Sequence, residues 1–232
     1  GLSAFSVFHR HFEPKAGSYS VPAFNASDQS KIVNRLRKQA ISVNDLTKSL
    51  ITAKILLIGE DHYYVEPPQF FLQLLDAMGD KKVILSLEIL GPYQSLLDRY
   101  LKTGQESDLE KIWSKDNCES LPYQEIVRWA HTHRSRVIRI LAHDESYLRN
   151  RLMRYFLTDT RNETMAQLVN QAHSASPESM VIAYGGMAHM LQAGRYLYDL
   201  PNRSPLGARL RLYGFSRVDV KTVLMRGTAR SC

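Results

Sequence analysis

Residues 55–62 read Ile55-Leu56-Leu57-Ile58-Gly59-Glu60-Asp61-His62, and the fold class can be predicted from them. Its aliphatic residues run without a polar break and then stop at a glycine, two carboxylates and a histidine. A short apolar run bounded by a turn signal is typical of a strand buried on both faces of a parallel sheet. Ligands of such sheets bind beyond the carboxyl ends of the strands. The ionisable groups of this stretch therefore lie where chemistry is expected.

The same arrangement recurs further along the chain. Apolar runs at residues 83–87, 137–141 and 180–184 lead into Glu88, into His143 and Asp144, and into Gly185-Gly186 followed by His189. If these strands are parallel and adjacent, their ends gather on one edge of the sheet. The pattern predicts an α/β fold, in which helices flank a central, mostly parallel sheet with the active-site cleft at the carboxyl ends of the strands.

Apolar residues at helical spacing separate the strands. Pro67 and Pro68 suit the first turn of a helix and Gly79 suits its end, so residues 55–88 form a βαβ unit. Other helices are predicted near residues 43–50, 92–100, 109–113, 122–133, 146–172 (broken near 158–160) and 188–200. Residues 210–213 and 218–224 are predicted to be strands, the second at an edge of the sheet.

Length and composition indicate a single domain. A chain of 232 residues, 44% of them hydrophobic, can bury a core without disulfides or metal. We expect residues 1–50 to form an N-terminal arm and helices that pack on the core, and residues 51–232 to form the α/β domain. No apolar run approaches the roughly 18 residues of a membrane span, and no signal-peptide pattern is visible. The two cysteines favour a reducing compartment over a disulfide framework.

Most of the net charge of +7 lies in residues 195–232, where eight basic side chains outnumber two acidic ones. A basic region of this kind suits contact with nucleic acid or with an anionic membrane surface. No nucleic-acid motif accompanies it, so the interpretation we favour is a solvated edge whose charge aids solubility. We therefore predict no nucleic-acid partner.

Two carboxylates are candidates for chemistry. Glu60 and His62 are two residues apart, so in an extended segment their side chains project to the same side and can converge on one water or metal. Polar residues are common at strand ends, so a structural role stays open for this pair. Glu88 interrupts an apolar segment, and a carboxylate is almost never fully buried without a partner. It is either half of a core ion pair or a carboxylate of the cleft.

Arg161 shares a helix face with apolar residues and lies in the first turn of that helix, which makes it the natural partner of Glu88. The alternative is an arginine whose stem covers the core while its head stays in water. His189 follows Gly186 by three residues, and the glycines allow a sharp turn back over the strand ends. Additional candidates in a comparable position are His143 and Asp144.

Several familiar sites are absent from the sequence: the G-x-S-x-G elbow, H-E-x-x-H, the phosphate-binding Gly-rich loop and G-x-G-x-x-G. The sequence therefore favours water activated by a histidine or carboxylate over a serine nucleophile.

Four short segments resemble, in order and spacing, the signatures of one superfamily. They are Gly59-Glu60-Asp61-His62, Glu88 after an apolar strand, Arg161-Asn162-Glu163-Thr164-Met165-Ala166 and Gly186-Met187-Ala188-His189. They are similar to the G-E-x-H, strand-end Glu, R-[ND]-x-x-M-A and G-x-x-H motifs of haem-binding ChaN proteins, erythromycin esterases, and Tiki and TraB proteins. The resemblance covers roughly residues 52–200. It implies an α/β fold with the site at the carboxyl edge of the sheet.

The branches of the superfamily imply different activities for the same residues. In the esterase branch the first histidine is the general base for water and the glutamates orient it, which gives these roles to His62, Glu60 and Glu88. The Tiki branch implies a metal-dependent peptidase that would recruit those three residues and His189. ChaN members bind haem, but in this sequence Tyr63-Tyr64 replaces the acidic and histidine-rich run after the first histidine.

Arg161 bears on the choice between these branches. A permanent positive charge beside the carboxylates opposes a dication by several kcal/mol at short range, with an effective dielectric of about 20. We therefore predict a metal-free site with no cofactor; haem or a divalent metal is the alternative. Its predicted catalytic residues are Glu60, His62, Glu88, Arg161 and His189.

The superfamily also includes virulence proteins, among them type III effectors of the HopBA group from plant pathogens. A serine-rich start and a basic charge balance suit such an effector. The leading hypothesis is an esterase-like hydrolase secreted by a bacterium into the host-cell cytoplasm, which acts on a small-molecule or peptide substrate. The competing hypothesis is a non-catalytic protein of the same fold that binds haem or a host protein.

Overall fold

A computed structural model describes residues 40–60, 62, 64, 66–113, 121–144, 160–192 and 204–225, together with isolated helical positions between 27 and 38. The chain divides into two compact units, residues 1–41 and residues 42–232. The second unit carries every residue of the predicted site. The predicted arm over residues 1–26 and the predicted helical segments over 146–159 and 193–200 lie outside the described residues.

The second unit is built on one parallel sheet, as the sequence predicts. Its strands are β1 (Ile55–Glu60), β2 (Val83–Leu90), β3 (Val137–Asp144), β4 (Met180–Gly186) and β5 (Val220–Met225). They lie in the order β3-β2-β4-β1-β5, and every neighbouring pair is parallel. Every residue of β1 and of β4 is buried, which is why their sequences are apolar on both faces.

Helices alternate with the strands. They are α1 (Val43–Leu50), α2 (Glu66–Ala77), α3 (Gln94–Thr103), α4 (Glu106–Ile112), α5 (Leu121–Thr132), α6 (Thr160–Ala175) and α7 (Leu206–Arg209). Local sequence sets their ends. The Ser42 hydroxyl accepts a hydrogen bond from the Asp45 N–H at 3.1 Å and caps α1. Gly104 takes a left-handed conformation (φ +69°) and ends α3.

The sheet separates two apolar cores, because alternate residues of each strand face opposite sides. On one side Leu56, Ile58, Leu85 and Leu87 pack with side chains of α2, α3 and α5. On the other side Ile55, Leu57, Ile84 and Val181 pack against α6 through Met165, Ala166 and Val169. Elements from both sides of the sheet therefore reach the carboxyl ends of the strands.

Three sequence predictions need correction. Leu210–Tyr213 is a 3-10 helix and not a strand. Its alternating sequence fits a strand, but Gly214 (φ +88°) closes a helical turn directly after it. Residues 188–192 form a turn where a helix is predicted. β2 continues to Leu90, so Glu88 lies inside the strand and not beyond it.

The predicted edge strand near the C-terminus is confirmed, because β5 pairs with β1 at one edge of the five described strands. Within the described part of the chain, no helix combines the length and the apolar character that crossing a membrane requires.

Candidate active site

The order of the strands brings the predicted site residues together. β4 lies between β1 and β2, with Glu60 in register with Gly186 and Leu87 in register with Tyr184. The end of β4 consists of two glycines, over which side chains from its neighbours meet. Glu60 and His62 reach this point from β1 and Glu88 reaches it from β2.

Glu60 and His62 converge as the two-residue spacing predicts. The His62 Nδ1 lies 3.1 Å from the Glu60 Oε1. Only 4% of the Glu60 side chain is exposed, whereas 43% of the imidazole is exposed. The carboxylate therefore holds Nδ1 from the protein interior, while the ring faces a region that solvent reaches. This is the arrangement of a histidine whose tautomer is fixed by a carboxylate.

Two tyrosines hold the other lone pairs of Glu60. The Tyr184 hydroxyl donates to Oε2, and the Tyr123 hydroxyl donates to Oε1 at 3.1 Å. The Tyr184 ring stacks on Phe71 with centroids 4.7 Å apart and meets the Tyr123 ring edge-on at 5.5 Å. Burial and the charge of Glu60 raise the pKa of both phenols well above 10, so both remain hydrogen-bond donors.

The environment of His62 makes it more basic than a free imidazole. The hydrogen bond to Glu60 raises its pKa above 6.5. Burial opposes this change, and the negative charge of Glu88 adds to it. A raised pKa favours the imidazolium, so the site stabilises the product of a proton transfer to His62.

Glu88 is the buried centre of the site. It accepts hydrogen bonds from the Arg161 Nη2 and from the backbone N–H of Gly186, the latter at 2.6 Å. Burial opposes its ionisation, but the charges of His189, Arg161 and His62 outweigh burial and lower the pKa of Glu88 to about 2. Glu88 is therefore an ionised carboxylate at neutral pH.

Arg161 binds two carboxylates from the first turn of α6. Besides Glu88, it contacts Asp144 with its Nε at 2.6 Å and its Nη2 at 2.8 Å. The prediction that Arg161 pairs with Glu88 is confirmed, and Asp144 joins the same site. Glu60 is instead bound by the hydroxyl groups of Tyr123 and Tyr184.

His189 lies nearest one oxygen of Glu88, and His62 lies nearest the other. Its Nδ1 lies 2.6 Å from the Asn162 Oδ1, and its Nε2 lies 3.7 Å from the Glu88 Oε1. The His62 Nε2 lies 4.0 Å from the Glu88 Oε2. Two imidazoles thus flank one carboxylate, and each is oriented through Nδ1, one by a carboxylate and the other by an amide.

The glycines at the end of β4 make this convergence sterically feasible. A Cβ on Gly185 would lie 2.5 Å from the Glu88 Oε2, and a Cβ on Gly186 would lie 2.7 Å from the His62 Nε2. Cβ atoms do not approach other atoms this closely. Glu88 and His62 can therefore meet over the end of β4 because Gly185 and Gly186 have no side chains.

His143 is a buried candidate that feels the charges of Glu88, His189 and Arg161. It is fully buried, and its Nδ1 lies 2.9 Å from the Ser86 hydroxyl. Burial lowers the pKa of His143 to about 3, so the imidazole is neutral. A catalytic role for His143 stays an untested prediction.

The described residues bear on the predicted absence of a metal. Among residues 40–60, 62, 64, 66–113, 121–144, 160–192 and 204–225, no group of three or more His, Cys, Asp or Glu side chains is arranged to hold one. Arg161 already neutralises two of the carboxylates. A metal-free reaction nevertheless stays a prediction, to be tested by elemental measurement.

The sequence interpretation missed Tyr123, Tyr184 and Asn162. Tyr184 lies in the apolar run of β4 and Tyr123 in the first turn of α5, and nothing local indicates that their hydroxyls bind Glu60. Asn162 had a signal, since it is the second residue of the segment that resembles R-[ND]-x-x-M-A.

No protein-family model matches the chain, and no curated protein matches it significantly in sequence. Solved structures do match its fold. The erythromycin esterase mutant EreC H289N in its open conformation is 14% identical with a TM-score of 0.59, over 82% of this chain and 74% of the esterase. RRSP, a MARTX toxin effector domain from Vibrio vulnificus CMCP6, is 22% identical with a TM-score of 0.51, over 82% of this chain and 37% of RRSP.

A further structure of bacterial protein toxins is 19% identical with a TM-score of 0.51, over 86% of this chain and 39% of the toxin. The chain thus spans less than two-fifths of the length of the toxins that it matches. At these identities the similarity shows a common fold. It agrees with the esterase part of the sequence resemblance, while the relationship to ChaN proteins and to the HopBA group stays a prediction.

Proposed function

We propose that this site is a metal-free hydrolase centre in which His62 is the general base for water. The observation that carries the proposal is the Glu60–His62 pair: a buried carboxylate 3.1 Å from Nδ1 of an imidazole whose ring is 43% exposed. A base must meet water and substrate on one side and be oriented from the other. His62 meets both conditions.

The reaction class is hydrolysis of an ester or a related acyl bond. His62 Nε2 accepts a proton from water as the water oxygen forms a bond to the carbonyl carbon. The carbonyl π electrons move to its oxygen, and the tetrahedral intermediate collapses by breaking the bond to the leaving group. The imidazolium returns its proton to that group. Glu60 stabilises the imidazolium through Nδ1, and ionised Glu88 lies near its Nε2 side.

Arg161 and His189 have supporting roles in this proposal. Arg161 pairs with both Glu88 and Asp144, and its charge helps Glu88 to stay ionised in a buried position. His189, held through Asn162, lies against the other oxygen of Glu88. Together they fix Glu88 as an oriented acceptor for a water or a substrate group between the two imidazoles.

We further propose that the chain is a bacterial virulence effector that acts inside host cells, on a small-molecule or peptide substrate. The fold similarity to a MARTX toxin effector domain and to an erythromycin esterase supports this proposal. No observation favours haem binding or a metal-dependent peptidase as a second candidate.

The test is a hydrolysis assay on the purified chain with a series of p-nitrophenyl esters and with erythromycin. We expect turnover above the uncatalysed rate, lowered at least about 100-fold by His62→Ala, since a general base contributes 10²–10⁴-fold. His133→Ala is the matched control, because His133 precedes β3 and lies at the opposite end of that strand from the site. No turnover of any of these substrates, or equal turnover by His62→Ala, would refute the proposal.

A second arm separates peptidase from esterase activity. Host-cell lysate is incubated with the chain, and new protein N-termini are identified by mass spectrometry. New N-termini that depend on His62 but appear without ester turnover would replace the esterase proposal with a peptidase.

A further inference from the structure

Residues 210–219, between α7 and β5, form two consecutive turns, here called the turn pair. The Phe215 N–H donates to the Leu210 carbonyl at 3.4 Å and closes the first turn. The Val220 N–H donates to the Ser216 carbonyl at 3.2 Å and closes the second. Each turn carries the same dipeptide type in its middle: an arginine followed by an aliphatic residue, Arg211-Leu212 and Arg217-Val218.

The aliphatic residues of the turn pair are unusually exposed. Leu212 is 79% exposed and Val218 is 71% exposed, more than any other large hydrophobic residue in the described part of the chain. Arg211 and Arg217 are also exposed, and neither forms an ion pair with another described residue. Single exposed hydrophobic residues are ordinary, but two of them, each next to an exposed arginine, form a basic and apolar surface.

This exposure does not come from a loose loop, because neighbouring residues anchor the turn pair. The Tyr213 hydroxyl donates to Glu163 on α6 at 2.9 Å. The Phe215 ring meets the His173 ring with centroids 5.4 Å apart. The acidic residue of the turn pair, Asp219, is bound to Lys54 at 2.8 Å, so its charge is neutralised locally. The net charge of the turn pair is therefore positive.

We propose that the turn pair docks on an anionic phospholipid membrane, with Leu212 and Val218 entering the interface and Arg211 and Arg217 contacting lipid phosphates. Apolar tips that insert beside basic residues are how peripheral proteins bind such surfaces. Charge complementarity supports the partner, since Arg211 and Arg217 are exposed and the acidic residue of the turn pair, Asp219, is bound to Lys54. Nucleic-acid binding would favour exposed aromatic rings on which bases stack. In the turn pair the Phe215 ring packs against His173 and Tyr213 is half-buried, so neither described ring is fully exposed.

Membrane docking is independent of the proposed hydrolase, and the test has a separate readout. The whole chain is sedimented with vesicles of phosphatidylcholine alone or with roughly 30% phosphatidylserine, a composition chosen to resemble an anionic leaflet. We expect binding to the anionic vesicles and little to the neutral ones. The double variant Arg211→Gln/Arg217→Gln should bind about 30-fold more weakly, because each arginine near an anionic surface contributes about 5-fold to the affinity.

The variant Leu212→Ser with Val218→Ser should bind at least about tenfold more weakly, because the inserted apolar surface is lost. Ile138→Ser is the matched control: Ile138 is 46% exposed but lies on β3, at the other edge of the sheet. All variants change exposed residues, so circular dichroism should show unaltered melting.

Absence of vesicle binding would overturn the proposal, as would equal binding to neutral vesicles or an equal loss in Ile138→Ser. A dimer in analytical ultracentrifugation that both turn-pair variants abolish, without vesicle binding, would instead assign the surface to a second copy of the chain. Binding of a duplex RNA that the arginine variant abolishes, again without vesicle binding, would assign it to nucleic acid.

Discussion

Replacement of Gly186 by alanine tests whether the site depends on the empty space above β4. The added Cβ would lie 2.7 Å from the Nε2 of His62, 3.3 Å from its Cε1 and 3.5 Å from the Oε2 of Glu88. The closest atom belongs to the tip of a side chain that is 43% exposed. Gly186 has no left-handed φ, so alanine fits the backbone. The predicted response is a shift of His62 toward solvent.

These distances set the expected effects of Gly186→Ala on rate and stability. Ordinary contacts between non-bonded heavy atoms begin near roughly 3.5 Å, so the imidazole must move by about 0.8 Å. A misplacement of about 1 Å costs about 100-fold in rate. The free energy of unfolding should change by less than about 1 kcal/mol, because the ring can turn into water and the glycine-to-alanine change also restricts the unfolded chain by about 0.4–1 kcal/mol.

Two other glycines provide matched controls. A Cβ on Gly185 would lie 3.0 Å from the Cβ of Glu88, which is fixed by its backbone, so Gly185→Ala should destabilise the fold by about 1–3 kcal/mol through overpacking. A Cβ on Gly91 would meet only the Asp144 carbonyl oxygen at 3.5 Å, an ordinary contact. Gly91→Ala should therefore leave both stability and activity near those of the unmodified chain.

Denaturant titration and the ester assay measure the two quantities, and the NMR signals of the His62 ring report its position directly. Full activity of Gly186→Ala would contradict the need for a fixed imidazole, since His62 would then tolerate displacement. Destabilisation of Gly186→Ala as large as that of Gly185→Ala would instead contradict the predicted shift of His62, by showing that the ring cannot move away.

Three further predictions concern protons and metal. A general base must be neutral to accept a proton, and the pKa of His62 lies above 6.5. The value of kcat/KM should therefore rise with pH through a midpoint above 6.5. A profile that is flat between about pH 5 and pH 9 contradicts this role. The pKa of Glu88 falls from 4.5 to about 2, so its charge stabilises the fold above pH 4.5 and that contribution is lost as pH falls toward 2. Glu88→Gln should therefore lower the free energy of unfolding by a few kcal/mol at neutral pH, and its difference from the unmodified chain should narrow in acid. Expressed as free energies, the loss of hydrolysis in Glu88→Gln should exceed the change in stability in Glu88→Asp. If Glu88→Gln changes neither hydrolysis nor stability, Glu88 is an ordinary carboxylate. Elemental analysis should find far less than one zinc, manganese or iron per chain, and activity should survive chelation; a stoichiometric metal with activity lost on chelation would favour the Tiki-like mechanism.

Much of the fold is predictable because it depends on local composition. The strands at 55, 83, 137 and 180 are apolar runs of strand length, and a run buried on both faces implies a parallel sheet. The convergence of Glu60 with His62 is equally local, since it depends on alternation over two residues. Leu210–Tyr213 shows the limit of such patterns: four alternating residues suit a strand and a helical turn alike, and the glycine after them decides between the two.

The partners of the carboxylates are less predictable because they depend on the order of the strands. Tyr184 is 124 residues from Glu60 in sequence, and Tyr123 is 63 residues from it. Only the placement of β4 between β1 and β2 brings Tyr184 to Glu60 and Glu88 to Gly186. For the same reason the sequence could not show that Arg161 would bind Asp144 as its second carboxylate.

The two glutamates are held by chemically different groups, and this difference divides their roles. Glu88 lies beside the permanent charge of Arg161, so much of its negative potential is already balanced before any reaction begins. Glu60 receives neutral phenol donors, which fix its orientation without cancelling its charge. Glu60 is thus the carboxylate that binds the His62 Nδ1 directly, while Glu88 acts on the imidazole through its charge. If this reasoning holds, Tyr184→Phe, which keeps the stack on Phe71 but removes one donor, leaves Glu60 a stronger acceptor and moves the midpoint of the pH profile upward. A downward shift would mean that the hydroxyl only keeps Glu60 in place.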